Sequence, residues 1–370
     1  MKLSSYAQGR DNNFNLIRVL AALAVFVSHC FSLATGHKAV EPFMAELNMS
    51  IGGAAVDVFF LTSGFLVTAS LLSRRNPIDF VVARMLRIFP GLWVMLLLTV
   101  FVLGGAMSTL PYRDYLGSAL VYEYLARCGT LVTGIVQNLP GVFESNPVHG
   151  EFNGPLWTLP FEVGMYGFLL AAWLVLAPSG SRRTALLKYA ILAFSALAAM
   201  FLVVGYFRHG LPPRFELHST YAFPSLFYMF FTGAAFHVMR DRITLSPRLF
   251  LLAATALLAS LFNKHVFFVV YLFTVPYLLF YLAYVPGGWL RQFNRLGDYS
   301  YGIYIYAYPL QQSVVALSGV ISILALGLIA LPPALLLAAL SWHLVEKRAL
   351  ALKGHFIAPV AVASWRAEES

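Results

Sequence analysis

The sequence predicts an all-α, polytopic membrane helix bundle of about ten transmembrane helices with both termini cytoplasmic. Three observations predict it. Of 370 residues, 59% are hydrophobic and only 11% charged, whereas soluble globular domains carry about 25% charged residues. The mean hydropathy is +0.74. Apolar runs recur at the length needed to cross a hydrocarbon core, roughly 20 residues each. No Ser/Gly linker, heptad or fixed-period repeat interrupts them, so one integral-membrane domain over 1–370 is expected, with short cytoplasmic tails at 1–12 and 347–370.

The first span, Phe14–Ala34, follows a polar RDNN start. Its basic lead-in and small-residue end imitate a signal peptide, but the apolar run is long for one and reads as a retained helix. Ile51–Leu72 opens on small residues, and Gly91–Met107 follows Pro90. Leu156–Ala177, Lys188–Phe207, Thr220–Val238, Leu249–Phe262 and Val266–Val285 are continuous apolar runs set apart by polar or basic stretches. Tyr299–Leu317 is rich in tyrosine, and Val320–Leu344 is almost wholly aliphatic. Between Met107 and Pro155 the chain is too polar for one clean span. A loop this long is often functional; its Leu125–Val136 stretch could be half-inserted, and its Gly and Pro argue for order.

Cytoplasmic loops are enriched in Lys and Arg. With the N-terminus inside, 18 of the 25 basic residues fall in inside segments and 6 outside, with Arg18 in the first span. The formal charge of +9 is therefore read as membrane topology with lipid contacts, and no nucleic-acid partner is expected. Cys30 and Cys128 make no disulfide framework.

The first span carries RVLAALAVFVSH, with a guanidinium at Arg18 and an imidazole at His29. At 100° per residue, eleven residues return to within about 20° of the same face and rise about 16 Å. A charged group at bilayer centre costs at least about 2.5–3.5 kcal/mol on insertion scales, and such residues usually face a bundle interior or a wet cavity. Arg18 alone could snorkel to lipid phosphates, and His29 alone could be a satisfied core residue; the pair on one face points to a site. Asp57 lies a turn or so inside the second span, at a depth comparable to His29, where it could fix the imidazole tautomer or cap its own helix. Ser63-Gly64 offers close helix approach, and LTSGF lacks the leading glycine of a nucleophile elbow.

In RRNPIDFVVARMLRIFPGLW, Arg84 and Arg87 are expected on a short interfacial helix ended by Pro90. Guanidinium forks bind phosphates bidentately, although positive-inside anchoring accounts for the same residues. Glu162 lies inside the fourth span in the outer half, with Trp157 and Tyr166 forming an aromatic rim, either an interface belt or a platform for a sugar. The ninth span holds Tyr299, Tyr301, Tyr304, Tyr306 and Tyr308, too many hydroxyls for a lipid-facing wall, so some need internal partners. Gln311 and Gln312 add amides at its outer end. No histidine pair has the spacing of a metal site, and no metal is expected.

Arg18-x10-His29, AVDVFFLTSGFL, RMLRIFPGLW, LWTLPFE and SYGIYIYAYP occur in this order. In these motifs the chain resembles the membrane acyltransferase-3 family, from about Asn12 to Glu346. The resemblance implies transfer of an acyl group, usually acetyl, from cytoplasmic acetyl-CoA as co-substrate to a hydroxyl of a lipid-linked or exported bacterial polysaccharide, in a multi-pass protein of the bacterial inner membrane. The family's key pair maps onto Arg18 and His29. A family histidine near Ala307 is absent here, where the run is YIYAYP.

On this reading Arg18, Arg84 and Arg87 hold the anionic donor. His29 acts as general base or acyl carrier, oriented by Asp57 or Glu162. Trp157, Tyr166, Tyr301 and Tyr304 contact the acceptor glycan. The rivals are a transporter or flippase for a polar lipid or sugar, and an acyltransferase acting on a small molecule. A transporter usually shows paired repeats with broken helices, which this sequence lacks.

Overall fold

The computed structural model describes residues 1–9, 11–37, 40–74, 76–209 and 221–353. Of the basic residues counted for orientation, Arg10, Lys38, Arg75, Arg214 and Arg366 lie outside the described residues. The described residues are mostly helical and hold isolated β-bridges but no strand.

Each predicted span overlaps a helix, although the third helix begins at Pro77 and not at Gly91, and Thr220, the expected start of another span, lies outside the described residues. The helices are α1 (Phe14–Thr35), α2 (Ile51–Arg74), α3 (Pro77–Leu97), α4 (Ala119–Thr130), α5 (Thr158–Val175) and α6 (Arg183–His209). They continue with α7 (Ala222–Val238), α8 (Pro247–Ser260), α9 (Lys264–Tyr284), α10 (Ser300–Ser318) and α11 (Ile323–Ser341). Seven stretches among the described residues are long and apolar enough to cross a membrane. Helices α7 and α8 are apolar but shorter, at 17 and 14 residues, and the tyrosines and glutamines of α10 lower its hydropathy.

One expectation fails in detail. Pro90 does not end a short interfacial helix; it lies inside α3, which runs on through a π-helical stretch, Leu98–Gly104, to Met107. Proline is tolerated inside membrane helices because neighbouring groups re-satisfy the backbone that it frees. Arg84 and Arg87 therefore belong to a long span and not to an interfacial helix.

Helices α6, α7, α2, α1, α10 and α11 follow one another as packed neighbours, and α5 lies against α2 and α7. Close contact rests on glycine. A Cβ on Gly64 would meet the Phe230 carbonyl oxygen at 1.8 Å, and one on Gly233 would meet the Leu61 oxygen at 2.0 Å, so α2 and α7 touch backbone to backbone. Small residues at an interface permit such an approach where no hydrophobic force separates helix from lipid. Gly302 meets Ala338 in the same way between α10 and α11.

The segment between Met107 and α5 is ordered, as its composition suggests. It carries α4, which begins before the expected Leu125 and stops at Leu131 in a left-handed conformation with φ 60°. At 12 residues, α4 is about 18 Å long, too short to cross. Tyr115, Tyr124, Val142 and Phe152 bury the loop against the bundle. Pro147 lies under Gly36 at the end of α1, so the loop covers the end of the bundle opposite Arg18.

Candidate active site

Two polar layers cross the bundle at different depths, one around Arg18 and one around His29. The first surrounds a cavity with about 740 Å³ of atom-free space, its mouth included, lined from α1, α2, α3, α5 and α10. Arg18, Arg84, Arg87, Glu162, Tyr166, Tyr301 and Tyr304 all face it, as do Ser63, Thr158 and Ser300. Seven residues singled out from four separate stretches of sequence thus converge on one space.

Behind the cavity wall lies a charge network that sequence reasoning missed. Arg18 Nη1 donates to Asp298 Oδ2 at 2.8 Å, and Arg87 Nη2 donates to the same oxygen at 2.5 Å. Arg87 Nη1 also stands 3.6 Å from Glu346 Oε2. The Ser300 hydroxyl and backbone N–H both donate to Asp298 Oδ1, at 2.5 and 3.3 Å. Burial pushes the Asp298 carboxyl up, but the Arg18 and Arg87 guanidiniums more than offset it and hold the group down at about 2. Asp298 precedes the first turn of α10, where a carboxylate is also favoured by the helix dipole. The signal in the sequence was the D-x-S pattern at a helix start. Glu346 carried none, because it closes an apolar run beside a basic tail.

Arg84 differs from its neighbours. Among the described residues it forms no ion pair, its guanidinium lies 5.8 Å from the Tyr166 ring centroid, and its buried Nε has no hydrogen-bond partner. A buried donor left unsatisfied is costly, and a guanidinium that lines a cavity without a carboxylate partner favours an anion there.

Glu162 corrects the sequence reading. It was expected beside His29 on the acceptor side, yet its Oε1 accepts from Tyr166 Oη and, at 3.5 Å, from Ser63 Oγ. Ser63 and Tyr166 stand 3.1 Å apart. The physical reason is depth: Glu162 lies eight residues beyond Gly154 along the inward-running chain, about 12 Å at helical rise. That carries it down to the guanidiniums.

The tyrosines of α10 find internal partners as expected. Tyr301 Oη donates to the Ile88 carbonyl at 2.9 Å, and Tyr304 Oη to the Pro155 carbonyl at 2.8 Å, with Thr158 Oγ1 at 2.6 Å. Trp157 does not line the cavity; it packs edge-on against Phe161 with ring centroids 5.7 Å apart.

The second layer lies further along α1. His29 is half-buried and does not line the cavity. Its ring meets Tyr308 edge to face with centroids 5.0 Å apart, and Tyr308 Oη donates to Glu151 Oε2 at 2.7 Å. Gln311 and Gln312 are fully buried. Gln311 Nε2 donates to the Phe26 carbonyl at 2.9 Å, tying α10 to α1. Gln312 Nε2 donates to the Val148 and Glu151 carbonyls at 3.1 and 2.8 Å, tying the loop to α10. Asp57 is fully buried and accepts from Tyr271 Oη of α9 at 2.9 Å. It thus faces the α9 side of α2, while Phe59 and Ser63 of the same helix face the cavity. Cys30 and Cys128 are both free and buried.

Comparison with known proteins identifies the family. A family model described as an acyltransferase domain, of the acyltransferase-3 type, matches residues 11–343. An O-acetyl transferase of Shigella phage Sf6 is 29% identical over 355 residues, covering 92% of this chain and 96% of its own. Nodulation protein 10 of Rhizobium leguminosarum bv. viciae is 27% identical over 379 residues, covering 96% and 97%. No solved structure matches the chain. The matched range spans every helix from α1 to α11 and, apart from Glu346, both polar layers, and the chain therefore belongs to the acyltransferase-3 family, as a multi-pass membrane enzyme that transfers acyl groups.

Proposed function

We propose that this enzyme moves an acetyl group from acetyl-CoA, entering from the cytoplasm, to a hydroxyl of a surface polysaccharide or lipid-linked glycan in the bacterial inner membrane. One observation carries the reading: three guanidiniums from α1 and α3 meet at one cavity, and the helix that supplies Arg18 presents His29 about 16 Å further on. The name of the phage relative supports acetyl as the group transferred.

Arg84 and Arg87 would hold the phosphates of the donor, with Arg18 beside them; when bound, the donor supplies the activated acyl group. Asp298 bridges Arg18 and Arg87 and offsets their mutual repulsion, and Glu346 shares Arg87. Arg84, without an ion pair among the described residues, is the guanidinium most available to an incoming phosphate. His29 would take the proton from the acceptor hydroxyl, a role typically worth 10²–10⁴-fold. Tyr308, packed edge-on against the imidazole, restricts its orientation. The half-buried setting of His29 beside an ordered loop fits an acceptor arriving from the face opposite Arg18.

The test is chemical. Membranes containing the protein are supplied with labelled acetyl-CoA and glycan; label should reach the glycan, and His29→Ala should abolish transfer at unchanged protein level. Transfer retained in His29→Ala overturns the base role. Glycan translocation with no acetyl-CoA requirement overturns the enzymatic reading in favour of transport.

A further inference from the structure

Glu151 is a carboxylate that no motif and no part of the mechanism above uses. It sits on the loop between α4 and α5, half-buried, beside Gly154. Its Oε2 accepts from Tyr308 Oη at 2.7 Å, and Tyr308 is the residue whose ring meets His29 at 5.0 Å. Among the described residues its Oε1 accepts no hydrogen bond. The backbone around it is fixed: its carbonyl accepts from Gln312, its N–H donates to the His149 carbonyl, and it bridges to Asn138. A Cβ on Gly154 would come within 2.9 Å of Glu151 Oε2 and 3.2 Å of Tyr308 Cζ. The glycine is what lets carboxylate and phenol meet.

The lone purpose of a structural carboxylate would be met by saturating it with donors. Here one oxygen is used to aim the group and the other is left accessible, on the same tyrosine that backs the candidate base. We infer that Glu151 is a substrate-positioning residue: its second oxygen accepts a hydrogen bond from an acceptor hydroxyl neighbouring the one acylated, so that a polyhydroxylated acceptor is held with one hydroxyl toward His29. The inference rests on the acyl-transfer reading above, and it names the feature of the acceptor that the site selects, two hydroxyls close together. Tyr308 acts through Glu151 by fixing the direction of the carboxylate.

Hydrogen bonds to a charged group are worth roughly 10- to 100-fold in binding. The experiment uses the full chain in native membranes, labelled acetyl-CoA, and alkali-de-O-acetylated surface polysaccharide from the source cells. Glu151→Ala should raise the KM for polysaccharide at least about 10-fold, with the KM for acetyl-CoA and the melting temperature in detergent nearly unchanged. Glu151→Gln, which keeps an acceptor oxygen without the charge, should recover part of that loss, and Tyr308→Phe should show a smaller increase of the same kind. Polysaccharide KM unchanged in both Glu151 variants overturns the inference while leaving acyl transfer intact. A fall in melting temperature with both KM values altered together assigns Glu151 a structural role and also overturns it. Wild-type membranes that transfer no label overturn the acyl-transfer reading and this inference with it.

Discussion

The cavity layer and the His29 layer face the same problem, polar groups at membrane depth, and solve it differently. In the layer around Arg18 charges are answered by charges: Arg18 and Arg87 share Asp298, and Glu346 shares Arg87. In the layer around His29 neutral amides are answered by backbone carbonyls, through Gln311, Gln312 and Asn146. Breaking a buried ion pair leaves an uncompensated charge, so the first layer tolerates little loss. The second layer is braced mainly by neutral amides, and its one carboxylate, Glu151, reaches the His29 ring only through Tyr308. The difference separates binding an anion from moving a proton.

The largest effect expected breaks the second layer. His29→Ala should lower kcat by about 10²–10⁴-fold while the KM for acetyl-CoA moves little, because the donor's phosphates would be held at the cavity. Steady-state label transfer in membranes checks it. An equal loss of acetyl-CoA affinity would merge the two layers into one site.

The next breaks the first layer. Asp298→Ala leaves Arg18 and Arg87 without their shared carboxylate, and removing one partner of a buried pair typically costs about 3–5 kcal/mol. The variant should melt well below wild type in detergent or fail to accumulate, with Asp298→Asn intermediate. A smaller effect is expected at Arg84, which pairs with no carboxylate among the described residues. Arg84→Ala should leave stability near wild type and raise the KM for acetyl-CoA on the order of 10-fold, while Arg84→Lys should recover only part, since an ammonium lacks the bidentate fork. Titrating acetyl-CoA against each variant separates binding from folding. A third test concerns packing: Gly64→Ala drives a methyl into the Phe230 carbonyl and should lower the melting temperature without changing either KM in the fraction that remains folded.

Most of the helices were legible because apolar length is a strong signal, and Arg18, Arg84, Arg87 and Glu162 were legible because charge in such runs is expensive. What could not be read was which charge meets which. Asp298 sits 280 residues from Arg18, and periodicity carries no information about pairs that distant. Glu162 was placed at the wrong depth because a fourth span entering from a buried 3₁₀ turn at Gly154–Trp157 starts deeper than a span entering from solvent. Glu151 had no apolar run around it to make its charge conspicuous. Pro90 was read with the rule for water-soluble helices, where interior proline costs about 3 kcal/mol or more, and that rule weakens in lipid.

The smallest effect expected is a pH dependence confined to the cavity layer. Asp298 stands at about 2 in the folded chain against an ordinary 3.8. A carboxyl depressed on folding contributes its stabilisation fully above its unfolded value and loses it as pH falls through the folded one. The fall from 3.8 to about 2 corresponds to ~2 kcal/mol. Stability from this group should therefore be flat from neutral pH down to about 4 and decline between about 4 and 2. Melting curves in detergent at pH 6, 4 and 3 should show that decline in wild type and a shallower one in Asp298→Asn. Equal slopes in the two would mean that other carboxylates govern acid unfolding, and that the guanidiniums of the cavity layer are held by something besides Asp298.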